Sequence, residues 1–144
     1  MRNKIAALVA TTVFVAGGSL MTATSASATV DPPGGSWDHT WTTTDGAKGG
    51  TIYIEENGDV VSLCDTAADG LAPRANIAVE ESSVPGAYDT RYTLTASGGL
   101  GSCATARASD GGTHNLPENW NIGVGIYLGP NYQHSSQHYY FNDH

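Results

Sequence analysis

Nine residues near the C-terminal end leave little choice of architecture. Trp120, Ile122, Val124, Ile126 and Leu128 are apolar, and Asn121, Gly123, Gly125 and Tyr127 stand between them. Side chains of an extended chain point alternately to opposite faces, so the five apolar residues form one continuous face that must be buried against a second layer. A helix would scatter the same residues around its circumference. The glycines on the opposite face weaken the strand locally and predict a bend or the close approach of another chain segment.

The same period recurs upstream. Residues 51–56 and 59–64 flank Asn57-Gly58, a dipeptide suited to the positive φ angles of a type I′ turn. That hairpin sets Ile54 opposite Val61 and Ile52 opposite Leu63 on one face, with Tyr53, Glu55 and Ser62 on the other. Residues 76–80 and 91–96 read as half-buried strands carrying Ile77 and Val79, and Tyr92, Leu94 and Ala96. Between them Val84-Pro85-Gly86-Ala87 fits a type II turn, proline setting the second position and glycine the third. Residues 36–44 predict a first strand with Trp37, His39 and Trp41 on one face, and residues 139–142 a closing strand. No window carries an amphipathic helix of ten or more residues. The expected fold is all-β: a single antiparallel β-sandwich or small barrel of six or seven short strands.

The N-terminal residues predict where such a domain works. Arg2 and Lys4 precede an apolar run over 5–16, and small residues follow up to Ala26-Ser27-Ala28. This is the layout of a secretory signal peptide, residues 1–28, with cleavage expected after Ala28. A single secreted domain would follow over 29–144, with residues 29–35, containing Pro32-Pro33-Gly34-Gly35, as a flexible leader. Export to an oxidising compartment makes a disulfide between Cys64 and Cys103, the sole cysteines, the expected state. A redox pair or half of a metal site is the alternative, but no C-x-x-C spacing supports it.

The expected secreted form keeps Lys48, Arg74, Arg91 and Arg107, four cations against fourteen acids, for a formal charge of −10. A phosphate backbone would be repelled, so nucleic acid is excluded as an expected partner. After the leader no apolar run approaches the roughly 20 residues of a membrane span. A soluble extracellular monomer without membrane attachment is the expectation.

Several groupings invite chemistry. Cys64-Asp65-Thr66-Ala67-Ala68-Asp69-Gly70 resembles the C-D-x-x-A-D-G stretch of small exported β-proteins from Gram-positive actinobacteria, over about residues 37–77. That group has no assigned activity, so the resemblance implies an exported β-fold and carries over no catalytic residue. Asp65 and Asp69 offer hard oxygens to Ca²⁺, yet two carboxylates fall short of its six to eight ligands. Asx-type turns, with Gly70 at positive φ, are the competing reading. His134, His138 and His144 suggest zinc or copper, but four residues of extended chain separate His134 from His138 by roughly 13 Å. Gly99-Leu100-Gly101-Ser102-Cys103-Ala104 matches a dinucleotide-binding pattern without the helix that gives it meaning. Glu55-Glu56 and Glu80-Glu81 are neighbours on strands and point apart, so neither pair can flank one bond.

Aromatic residues carry the functional expectation. Trp37, His39 and Trp41 can stack on sugar rings or insert into a partner, with Tyr127, Tyr132 and Tyr139 extending the surface; the alternative is that the tryptophans cover an open end of the core. The stretch 84–91, with Pro85, Tyr88 and Arg91, reads as an exposed loop of the kind an inhibitor presents. The sequence therefore points to a binding module for an extracellular polysaccharide or a protein, including a secreted hydrolase that it inhibits. The rival class is a small hydrolase whose carboxylates converge from separate strands.

Overall fold

The period-two segments assemble into two packed sheets. The computed structural model describes Pro32 and residues 36–144. These contain β1 (His39–Thr42), β2 (Gly50–Glu55), β3 (Val60–Asp65), β4 (Pro73–Glu80), β5 (Tyr88–Thr95), β6 (Cys103–Ala106), β7 (Trp120–Leu128) and β8 (Gln133–Asn142). Two single-turn 3-10 helices, Ala108–Asp110 and Gly112–His114, connect β6 to β7. One sheet has the order β1-β2-β3-β6 and the other β5-β4-β7-β8, every pair antiparallel. The fold is thus the sandwich of the two expected architectures, with a disulfide between Cys64 and Cys103. The expected signal peptide lies outside the described residues. Of the expected leader Pro32 alone is described, and it is buried.

The core forms where the two inner faces meet. Ile52, Ile54, Val61 and Leu63 face inward from the first sheet, and Ala75, Ile77, Val79, Ile122, Val124 and Ile126 from the second. β4 shows the alternation plainly: Pro73, Ala75, Ile77 and Val79 are buried, and Arg74, Asn76, Ala78 and Glu80 are half-buried on the outer face. Trp41, Leu94 and Trp120 pack against the edge of this core.

The β2–β3 register agrees with expectation, Ile52 facing Leu63 and Ile54 facing Val61. The turn does not. Positive φ falls at Gly58 (89°) and Asp59 (51°), not at Asn57, so the connection is a four-residue loop rather than type I′. The Asp59 N–H donates to Glu56 O at 3.1 Å. Both connections are centred on Asn57-Gly58, which is why the register survives. A distant anchor explains the difference: the buried Asp59 carboxylate accepts from the Leu116 N–H (2.8 Å) and from Asn142 Nδ2 (3.2 Å). Burial pushes its carboxyl above the ordinary value despite these two donors.

The turn over 84–87 is as expected, with Gly86 at φ 82° and the Ala87 N–H donating to Val84 O. β6 was not expected. It enters from the glycine-rich turn at Gly99 and Gly101, both at positive φ, and pairs with β3 so that Cys103 directly faces Cys64. The bridge therefore lies within one sheet, while the chain it encloses carries β4 and β5 into the other. Opposite that side the edges of the sheets approach each other: the Ser136 hydroxyl donates to Thr42 O and the Thr44 N–H to His134 O, both at 3.0 Å.

Candidate functional site

The outer face of the second sheet is built around the two glycines of β7. Register places Gly123 between Ala78 and Tyr139, and Gly125 between Asn76 and Gln137. Tyr88, at the start of β5, leans over Gly123: a Cβ there would lie 3.0 Å from Tyr88 Cδ1 and 3.5 Å from Tyr139 Cε1. The Tyr88 and Tyr139 rings are 5.1 Å apart, inclined at 44°. At Gly125 the situation is the reverse, since a Cβ would meet nothing within 4 Å. The product is a hollow of about 200 Å³ beside the tyrosine pair, with Asn76, Thr90, Gly125 and Gln137 among its lining residues.

The trough combines flat apolar rings with hydrogen-bonding groups. Tyr139 is 57% exposed and Phe141, which faces Asn121 across the β7–β8 ladder, 51%. The Tyr139 hydroxyl donates to Gln137 Oε1 at 3.3 Å and the Tyr127 hydroxyl to Asn76 Oδ1 at 3.4 Å, so both amides are oriented by neighbouring phenols. Tyr127 shares the outer face with the glycines and lies against Tyr132, ring centroids 4.4 Å apart and planes inclined at 32°. Burial raises the Tyr88 phenol, with Glu80 and Tyr139 adding to the effect, which keeps it a neutral hydroxyl.

One row along, Glu80, Asn121, Trp120 and Phe141 line a second hollow of about 270 Å³. The Asn121 side chain donates to Glu80 Oε2 (2.5 Å) and the Gly86 N–H to Oε1 (2.9 Å), and these two donors hold the carboxyl below its ordinary value. Glu80 is therefore a fixed, ionised acceptor. Glu81 and Asp89 share a further hollow with it, but a general acid needs a raised carboxyl, the opposite of what Glu80 has.

The aromatic residues singled out on the first strand part company. β1 begins only at His39, and Trp37, ahead of it, packs on Tyr53, which alternates with the inward-facing Ile52 and Ile54. His39 and Trp41 turn to the seam with β8. Trp41 is stacked by His39 (5.0 Å, 12°) and by His138 (4.6 Å, 1°), and Tyr140 lies against both His39 and Trp41. The three residues thus do not form one face; His39 and Trp41 cover the core edge. Burial lowers the His138 imidazole and favours its neutral form.

Tyr88 and Arg91 belong to β5 rather than to a loop. The exposed connection is 81–87, tipped by Val84. Arg91 is the extra residue of a β-bulge, since Ile77 pairs with Tyr92 and Ala78 with Thr90, and it lines the hollow shared by Glu81 and Asp89. Asp65 and Asp69 adopt the Asx turns: Asp65 Oδ1 accepts from the Ala67 N–H and Asp69 Oδ1 from the Leu71 N–H, with Gly70 at φ 77°. Burial, and to a smaller extent Asp69, raises the Asp65 carboxyl.

The sequence suggested Tyr127, Tyr132 and Tyr139 as an extension of the Trp37, His39 and Trp41 surface and put Tyr88 on a loop; the structure instead sets Tyr88 against Tyr139 and Tyr127 against Tyr132. The one signal that marked the trough was Gly123 and Gly125 on the non-core face of β7. Comparison of the chain with family models, with curated proteins and with solved structures finds no match in any of the three.

Proposed function

We propose that this protein is a glycan-binding module acting outside the cell, and that the outer face of the β5-β4-β7-β8 sheet is its binding face. The observation that carries the reading is the trough over Gly125, walled by the exposed Tyr139 ring and the Tyr88 ring and floored by backbone. Pyranose rings present apolar C–H faces and a rim of hydroxyls, and aromatic planes with fixed amide and carboxylate partners match both. Asn76, Gln137, Asn121 and Glu80 are such partners, each already oriented by a hydrogen bond. Preorganisation of this kind lowers the cost of binding. The A-x-A pattern at Ala26-Ser27-Ala28 and the disulfide support an extracellular setting.

The test is retention of the purified protein on insoluble cellulose, chitin, xylan and peptidoglycan, with mobility shifts in native gels containing soluble glucans and mannans. Retention by at least one glycan is expected. Tyr139→Ala should weaken it about tenfold, corresponding to about 1.4 kcal/mol, and Trp37→Ala should leave it unchanged. No retention on any of these polymers, or equal retention by the Tyr139→Ala variant, would refute the reading.

A further inference from the structure

Near the end of the β1–β8 seam, groups from three distant parts of the chain converge. Glu56, in the turn after β2, is only 8% exposed, and its Oε1 accepts from His39 Nε2 at 2.7 Å. Its backbone N–H donates to Asp38 Oδ2 at 2.8 Å, which brings a further carboxylate alongside. Asp143 and His144 follow β8, and one donor atom from each of Glu56, Asp143 and His144 falls within 4.8 Å of the other two. Among the described residues the two ion pairs, His39–Glu56 and His144–Asp143, both fall here, and neither involves lysine or arginine.

We propose that Glu56, Asp143 and His144 form a binding site for a divalent transition-metal ion of the Zn²⁺ type, with His39 as the positioning residue that holds Glu56. Zn²⁺ takes imidazole nitrogen and carboxylate oxygen together at about 2.0 to 2.2 Å, which sets neighbouring donors about 3.4 Å apart in a tetrahedral site. Asp143 and His144 are each 59% exposed and free to close that distance, whereas Glu56 is held from both sides. Two carboxylates match the charge of the ion. Glu56 is buried, and the His39 ring at 2.7 Å fixes where its carboxylate points, as an orienting partner does for a metal ligand. Ca²⁺ is the wrong class, because it needs six to eight oxygens and gains nothing from an imidazole. Three protein ligands leave a position open for water or an outside ligand. The ion would join the β2–β3 hairpin of one sheet to the end of β8 in the other.

The experiment is calorimetric titration of the protein, purified without a polyhistidine tag, with ZnCl₂ and in parallel with CaCl₂, together with melting curves in each salt. One Zn²⁺ per chain, a higher melting temperature in zinc and no response to calcium are expected. His144→Ala and Asp143→Asn change exposed side chains and should keep the zinc-free melting temperature while weakening zinc at least tenfold. His39→Ala should weaken it about 10- to 100-fold with the stoichiometry unchanged, the size of effect seen when a ligand loses its orienting partner. No zinc binding, or a titration unaltered in His144→Ala, would overturn the site. Binding of calcium in preference to zinc would overturn it as well.

Discussion

Gly125→Val separates the stability of the sandwich from the use of its outer face. In a strand a glycine costs about 0.5 to 1 kcal/mol relative to alanine through backbone entropy, and a β-branched residue suits the pleated surface better still. The gain appears only where the new side chain has room and the backbone is at ordinary φ. Gly125 meets both conditions: a Cβ there has no neighbour within 4 Å, and Gly125 is absent from the residues at positive φ. The substitution should therefore raise stability by about 0.5 to 1 kcal/mol, or roughly 2 to 5 °C in Tm. Its methyl groups occupy the floor of the roughly 200 Å³ trough, so glycan retention should fall below detection. The control stands two residues away. At Gly123 a Cβ would sit 3.0 Å from Tyr88, so Gly123→Val has to displace that ring and should lower stability. Urea denaturation of both variants beside native-gel shifts is the assay. A Gly125→Val protein that is destabilised by more than about 1 kcal/mol shows that the face is not open, and one that is stable yet still binds glycan removes the trough as the site.

Two further outcomes test the account of the fold. Cys64→Ser with Cys103→Ser opens a link spanning 39 residues and should cost about 4 kcal/mol by the chain-entropy model, read as a lower urea midpoint that added reductant no longer moves. Asp59→Ala leaves the buried Leu116 N–H without its acceptor, removes one of the two acceptors of the Asn142 amide and should cost about 1 to 3 kcal/mol. The pH dependence of the same residue has a definite sign. Its folded carboxyl titrates above 3.8, so the native state holds a proton that the unfolded chain has released. Asp59 therefore contributes a gain in stability as pH falls through its folded value toward 3.8, and that component should be missing from the urea midpoints of Asp59→Asn.

What the sequence determined by itself was local. Alternation assigned the inner faces of β4 and β7, because side-chain period and pleat are properties of the extended chain alone. The register of Ile52 with Leu63 and Ile54 with Val61 followed from the turn centre, and Pro85-Gly86 selected its own turn type. The disulfide was expected from two cysteines and an N-terminal pattern read as an export signal, and the structure shows the bridge. Tertiary structure decided everything that depends on which strands become neighbours. The short β6 is a strand because β3 offers it a ladder, a pairing between distant segments that no local pattern announces. Asp59 left the expected turn type because Leu116 and Asn142 reach it from far along the chain. Trp37 parted from His39 and Trp41 because the chain bends at Asp38, before the strand begins, and Tyr88 met Tyr139 only because β5 and β8 flank the same central pair. Composition and period say which face a side chain takes; what it meets there is set by packing between segments whose separation in sequence carries no signal.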